Sequence, residues 1–137
     1  MSEIKVDTLT GKTTAGDITV TSEGGAATMQ LQQGLAKAWV SFDGTAASAA
    51  ARASFGISSM DDNGTGDYDV NLSSAMSDAN YAVVVGQGRY NEGSYGGQYE
   101  ISVATVATTS LQVFSNTTSA TRQDYSYNAI SFLGDLA

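Results

Sequence analysis

The sequence predicts an all-β protein: an antiparallel sandwich or jelly-roll-like knob over residues 37–137, preceded by a short β/helical stem or attachment segment over residues 1–36. Apolar and polar residues alternate in short runs, the period expected of strands with one buried face. Those runs are separated by Asp-Gly, Asn-Gly and Gly-Gly pairs, which supply the positive φ that tight turns need. Gly, Ala, Ser, Thr, Asn and Tyr dominate the spaces between, and no heptad is sustained anywhere.

Taken in order, Ile4–Thr8 alternates and reads as a strand, and so does Asp17–Thr21, with Gly11 and Gly16 punctuating the connection. Thr28–Lys37 has better helix formers; Met29, Leu31 and Leu35 fall near one another on a helical wheel, so a short helix or a turn is expected there. Trp39–Phe42 is a strand that ends at Asp43-Gly44. The alanine-rich run Thr45–Ala53 fits either one helical turn or a flat linker. Phe55, Ile57 and Ser59 alternate into Asp62-Asn63-Gly64, and Tyr68, Val70 and Leu72 alternate out, which describes a hairpin with its aromatic and β-branched residues on one face. Tyr81–Val85 is almost continuously apolar, as a strand covered on both faces would be. Gly86–Gln98 reads as a long loop. Tyr99, Ile101, Val103 and Thr105 then pair by pattern with Leu111, Val113 and Ser115, and Asp124–Leu133 is the last strand.

The chain has 137 residues and no histidine, cysteine or proline. The commonest general base, the softest metal ligands and every thiol nucleophile are therefore missing. A non-enzymatic protein without metal or cofactor is expected. The net charge is −8, and the six cations (Lys5, Lys12, Lys37, Arg52, Arg89 and Arg122) are scattered. That argues against nucleic-acid partners and against anionic membrane surfaces. No apolar run suits a signal peptide or approaches the ~20 residues of a membrane span, so synthesis in a cytoplasm without membrane insertion is expected. Much of the 42% hydrophobic fraction is alanine, which buries little area per residue. So lean a core implies that contacts between copies bury the remainder.

Three motifs reduce to turns. Gly11-Lys12-Thr13 resembles the end of a phosphate-binding loop, but Val6 stands where the first glycine belongs, and a strand follows instead of a helix. Asp61–Asp67 alternates oxygen ligands like a calcium loop, yet the twelfth position is Leu72 rather than a bidentate carboxylate. A hairpin turn takes most of the weight there, with a weak cation site as the lesser reading. Gly86-Gln87-Gly88 lacks the third glycine of a dinucleotide fingerprint. The binding candidate is the loop carrying Arg89, Tyr90, Asn91, Glu92, Tyr95, Gln98 and Tyr99. Tyrosines among Gly, Ser and Asn resemble antibody paratopes, and a ring on a sugar face beside hydrogen-bonding side chains is a common way to hold a glycan. The competing reading is a solvated hairpin tip packed on the sheet or on a neighbouring subunit. Ile4, Val6, Ile18, Val20, Leu31, Leu35 and Trp39 are the candidates for attachment or assembly.

Several strings resemble the tail-fibre-like virion proteins of marine and cyanobacterial tailed bacteriophages. Lys37–Gly44 is similar to their "KAWVNFNG" opening, and Arg52–Ser59 to the segment that follows. Asp62–Tyr68 matches "DNGTGDY", Asp78–Tyr81 matches "DANY", and Ile4–Asp7 is similar to "TIKVD". The strings occur in the family's order over about the first two-thirds of the chain. The resemblance implies a virion structural protein, usually a homotrimer assembled with other phage structural proteins, with a C-terminal β-knob and a thin N-terminal stem or attachment segment. Together with the tyrosine loop it suggests a knob displayed for host attachment, with a host-surface glycan as the partner. The alanine run Thr45–Ala51 and the lack of a long shaft depart from the family pattern. They leave open a capsid or collar decoration protein that stabilises the particle without binding a receptor.

Overall fold

The computed structural model describes residues 3–14, 18–89 and 99–137. The chain divides into two compact units, Met1–Leu35 and Ala36–Ala137. In the first, strands β1 (Thr19–Thr21) and β2 (Thr28–Gln30) form an antiparallel hairpin with Val20 opposite Met29. Its turn is closed by hydrogen bonds from Ser22 N to Ala27 O and from Gly25 N to Ser22 O, both 2.8 Å, and Gly25 takes the positive φ. Ile4–Thr8 is not a strand: alternation alone supplies no neighbouring ladder, and these residues are exposed. Thr28–Lys37 holds no helix either. Its start pairs into β2, residues 31–34 turn, and the chain resumes as strand at Ala36.

Among the described residues the second unit contains eight strands: β3 (Ala36–Asp43), β4 (Ala50–Phe55), β5 (Ile57–Gly64), β6 (Asp67–Leu72), β7 (Ala82–Gly88), β8 (Tyr99–Val106), β9 (Ser110–Thr117) and β10 (Tyr127–Leu133). They form two antiparallel four-stranded sheets, ordered β4-β3-β10-β7 and β5-β6-β9-β8. The pairs β3–β4, β5–β6 and β8–β9 are hairpins within one sheet, and the other connections pass between sheets. Of the two arrangements open to the sequence, the chain adopts the antiparallel sandwich.

The core lies between the four central strands. Ala38, Val40 and Phe42 of β3 and Ile130 and Phe132 of β10 face Tyr68, Val70 and Leu72 of β6 and Leu111 and Val113 of β9. Phe42 meets Tyr68 edge to face, with ring centroids 5.1 Å apart, a favoured aromatic geometry. Gly56 carries the chain from one sheet to the other with φ +69, and a Cβ there would lie 2.9 Å from Lys37 O.

Further expectations need correction in the sandwich. The second half of the alanine run is strand β4, because small side chains suit a flat edge as well as a linker. Phe55 points outward and is 59% exposed, since the crossing at Gly56 ends one sheet before the β5–β6 hairpin begins. The strand from Ala82 is covered on one face only, and Val84 is 60% exposed. Gly86–Gly88 extends that strand, whereas β10 starts only at Tyr127.

Candidate functional site

Strand register brings four connections to one end of the sandwich. In the first sheet Asp43 lies opposite Ala50, Phe42 opposite Asn128, and Tyr127 opposite Gly88. In the second, Gly64 lies opposite Asp67, Asp67 opposite Phe114, and Tyr99 opposite Thr117. The Asp61–Asp67 turn and both bases of the tyrosine loop, Arg89 and Tyr99, therefore share this end. Ala36, where the chain enters the sandwich, lies opposite Leu133 at the other end.

Hydrogen bonds lock the connections at this end to one another. The Asp124 carboxylate accepts from Gly66 N at 2.7 Å and from the Tyr68 hydroxyl at 2.6 Å. Ser115 N donates to Gly66 O at 2.9 Å, and Gly44 N donates to Tyr125 O at 3.0 Å. Beneath them the apolar core gives way to polar groups. Gln87 Nε2 donates to Ser115 Oγ and, at 2.9 Å, to Asn128 Oδ1. Ser115 Oγ donates to Gln123 O at 2.7 Å, and Asn128 Nδ2 donates to Tyr125 O at 2.9 Å. Ser115 and Asn128 are fully buried, so this network fixes how the two sheets meet below the loops.

Sequence reasoning did not single out Gln87, Gln123, Asp124 or Asn128. A signal was present: the inward series Leu111, Val113, Ser115 and Asn128, Ile130, Phe132 each turn polar at the end that faces this network.

Burial pushes the Tyr68 phenol far above its ordinary value, and the Asp124 hydrogen bond and charge raise it further. An unfolded chain releases that proton near pH ~10, whereas the folded chain keeps it. Above that pH the unfolded state binds fewer protons. The stabilisation, fully present below it, therefore falls by about 1.4 kcal/mol per pH unit as pH rises. Tyr68→Phe should remove this share of the alkaline loss and leave the smaller share from Tyr81, which burial also raises. Urea midpoints at pH 9, 10 and 11 measure it; identical slopes for both proteins would contradict the assignment.

The predicted site residues distribute as follows. Tyr90, Asn91, Glu92, Tyr95 and Gln98 lie outside the described residues. Arg89 is exposed at the end of β7. Tyr99 packs edge to face on Tyr125, with centroids 4.9 Å apart and planes at 89°. Tyr125 is only 5% exposed, so it supports the base of the loop rather than offering a free ring. Ile4, Val6, Ile18, Val20, Leu31 and Leu35 belong to the first unit, whereas Trp39 belongs to β3 of the sandwich. Ile4, Val6, Val20, Leu35 and Trp39 are exposed, and Ile18 and Leu31 are half-buried.

In the Asp61–Asp67 turn the carboxylates already have protein donors. Asp61 accepts from Asn71 at 2.8 Å, Asp62 from Gly64 N at 3.0 Å, and Asp67 from Gln112 at 2.9 Å and Arg122 at 2.5 Å. Burial would raise the Asp67 carboxyl, but the bonds from Gln112 and Arg122 outweigh it and hold the group below its ordinary value. The turn thus acts as hairpin scaffold, with the Arg122 guanidinium 3.6 Å above the Phe114 ring. Among the described residues no three acidic, histidine or cysteine side chains gather around a metal position. What this end offers chemically is amides, hydroxyls and aromatic rings on a rigid base.

The chain matches no family model, no curated protein and no solved structure.

Proposed function

We propose that the protein is a bacteriophage virion structural protein, a homotrimeric fibre-type protein that displays its sandwich for attachment to the host surface. The observation that carries this reading is the polarity of the sandwich. The chain enters at Ala36, and the two bases of the tyrosine-rich loop stand at the opposite end. A module anchored through its N-terminal side presents such a loop outward. The locked polar base supports it, because a binding loop on a rigid scaffold loses less entropy on engagement. Three copies multiply a weak contact with a glycan through avidity. On this reading the protein is made in the host cytoplasm and resides in the virion.

The test is a phage carrying Tyr90→Ala and Tyr95→Ala. Adsorption to host cells should fall at least tenfold while particle composition stays unchanged. Normal adsorption would rule out the loop. It would favour the alternative of a capsid or collar decoration protein, in which the first unit makes the important contact. That alternative has an observation of its own. A ribbon of two three-residue strands is marginal in water, and Val20 and Met29 on it are exposed, which suits addition to a partner's sheet edge.

A further inference from the structure

The outer faces of the two sheets differ in kind. On the second sheet, most outward side chains of β6 and β9 are polar and bonded to neighbours, and the outward Phe114 is covered by the Arg122 guanidinium. Asn71 donates to Asp61 at 2.8 Å, Asn63 to Asp69 at 2.9 Å, Gln112 to Asp67 at 2.9 Å and Asn116 to Ser102 at 3.1 Å. Such a ladder is suited to water.

Over two of its rows the first sheet carries no such ladder. Register aligns Phe55, Trp39, Ser131 and Val84 in one row across β4, β3, β10 and β7, and Ala53, Ser41, Ala129 and Gly86 in the next. Neither row contains a charge. Phe55 is 59%, Trp39 38% and Val84 60% exposed. The nearest charges on this face are Asp43 and Arg52 toward the loop end, and they are paired with each other.

We propose that this face is where copies of the chain meet. Three arguments select a second copy as the occupant. A chain of net charge −8 repels itself, and copies can approach only through a surface that sets no acid against acid; these rows provide one. The rows also complement each other in shape: a ridge of Phe, Trp and Val beside a trough of Ala, Ser and Gly accepts the ridge of another copy at the spacing of packed sheets. Finally, four strands of about seven residues present roughly 450 Å². Two faces together come near the ~1,000 Å² at which specific interfaces begin.

This goes beyond the homotrimer of the preceding section: two identical faces packed on one another make a two-fold contact that closes with two copies, so a trimer would be built through a different surface. It assigns Trp39 to self-association rather than to attachment. The chain's single tryptophan therefore reports on the contact without any substitution. Emission of the wild-type protein should be blue-shifted at micromolar concentration and move to longer wavelength on dilution, while light scattering gives a mass above one protomer. Val84→Lys changes a side chain that the protomer leaves exposed. It should weaken association at least ~100-fold, because a lysine would be buried unpaired, and should give the long-wavelength emission with unchanged circular dichroism. Thr105→Lys, on the other sheet, should keep the wild-type mass. A wild-type protein that is monomeric at micromolar concentration with concentration-independent Trp39 emission would overturn the proposal, and so would a Val84→Lys protein that keeps the full mass. Neither result bears on whether the protein is found in virions. Conversely, absence from purified particles would defeat the virion reading and leave this contact standing.

Discussion

Phe42→Ala is expected to cost about 3–5 kcal/mol, enough to remove most of the stability of a single domain. The ring is fully buried, lies on a central strand, and meets Tyr68 edge to face at 5.1 Å. Its loss removes apolar area and leaves a void between two sheets. Collapse into that void is resisted by the strands on either side, which are held in register by β4 and β10. The core is also lean: its aromatic members at this depth are Phe42, Tyr68 and Phe132, so no neighbouring bulk can move in to fill the space. With m of about 1–3 kcal/mol/M, the urea midpoint should fall by more than 1 M. Phe55→Ala is the internal comparison. The same side chain on the outer face of the sheet should cost a dilute, isolated protomer under ~1 kcal/mol. Equal losses at the two positions would mean that the inward and outward faces are misassigned.

The same two phenylalanines show how much of the fold was legible in the sequence. Strand period and turn chemistry are local, and they were readable. The β5–β6 and β8–β9 hairpins follow from alternation on either side of their turns, although the first turns at Thr65-Gly66 rather than at Asn63-Gly64, which ends β5; the inward sets of β6 and β9 are those the pattern marks. What could not be read was which sheet a strand joins. Phe55 and Ile57 alternate without a break in sequence, yet Gly56 at φ +69 places them in different sheets. Ile4–Thr8 has the pattern of a strand but no ladder partner, and pairing is non-local. Alanine was ambiguous for the opposite reason: Ala50, Ala51 and Ala53 impose so little of their own that tertiary pairing decides them. Of the site, the loop and its tyrosines were visible as composition. Its polar base was not, because Gln87, Ser115 and the pair Asp124 and Asn128 come from three separate stretches that only the fold brings together.

That base depends on one glycine. Gly66→Ala is expected to destabilise by at least ~3 kcal/mol, through two effects that add. The first is conformational: at φ +66 an L-residue costs about 1–2 kcal/mol. The second is steric. A Cβ would lie 2.4 Å from Ser115 O and 2.9 Å from Gln123 N, both backbone atoms of the hydrogen-bonded connections at this end. Relief means moving Gly66, and movement breaks the bond from Ser115 N to Gly66 O and the one from Gly66 N to Asp124. Gly64→Ala separates the two effects. Gly64 also has positive φ, at +124, but nothing lies within 4 Å of its Cβ position, so it should show the conformational cost alone. The urea midpoint of Gly66→Ala should therefore fall well below that of Gly64→Ala; equal midpoints would mean that the sheets yield freely at this end. Because Asp124 precedes Tyr125, on which Tyr99 packs, the Gly66 variant should also alter the near-ultraviolet tyrosine signal below its melting temperature, whereas Gly64→Ala should leave it unchanged. The glycine of a hairpin turn thereby sets the stance of Tyr99, more than thirty residues further along the chain.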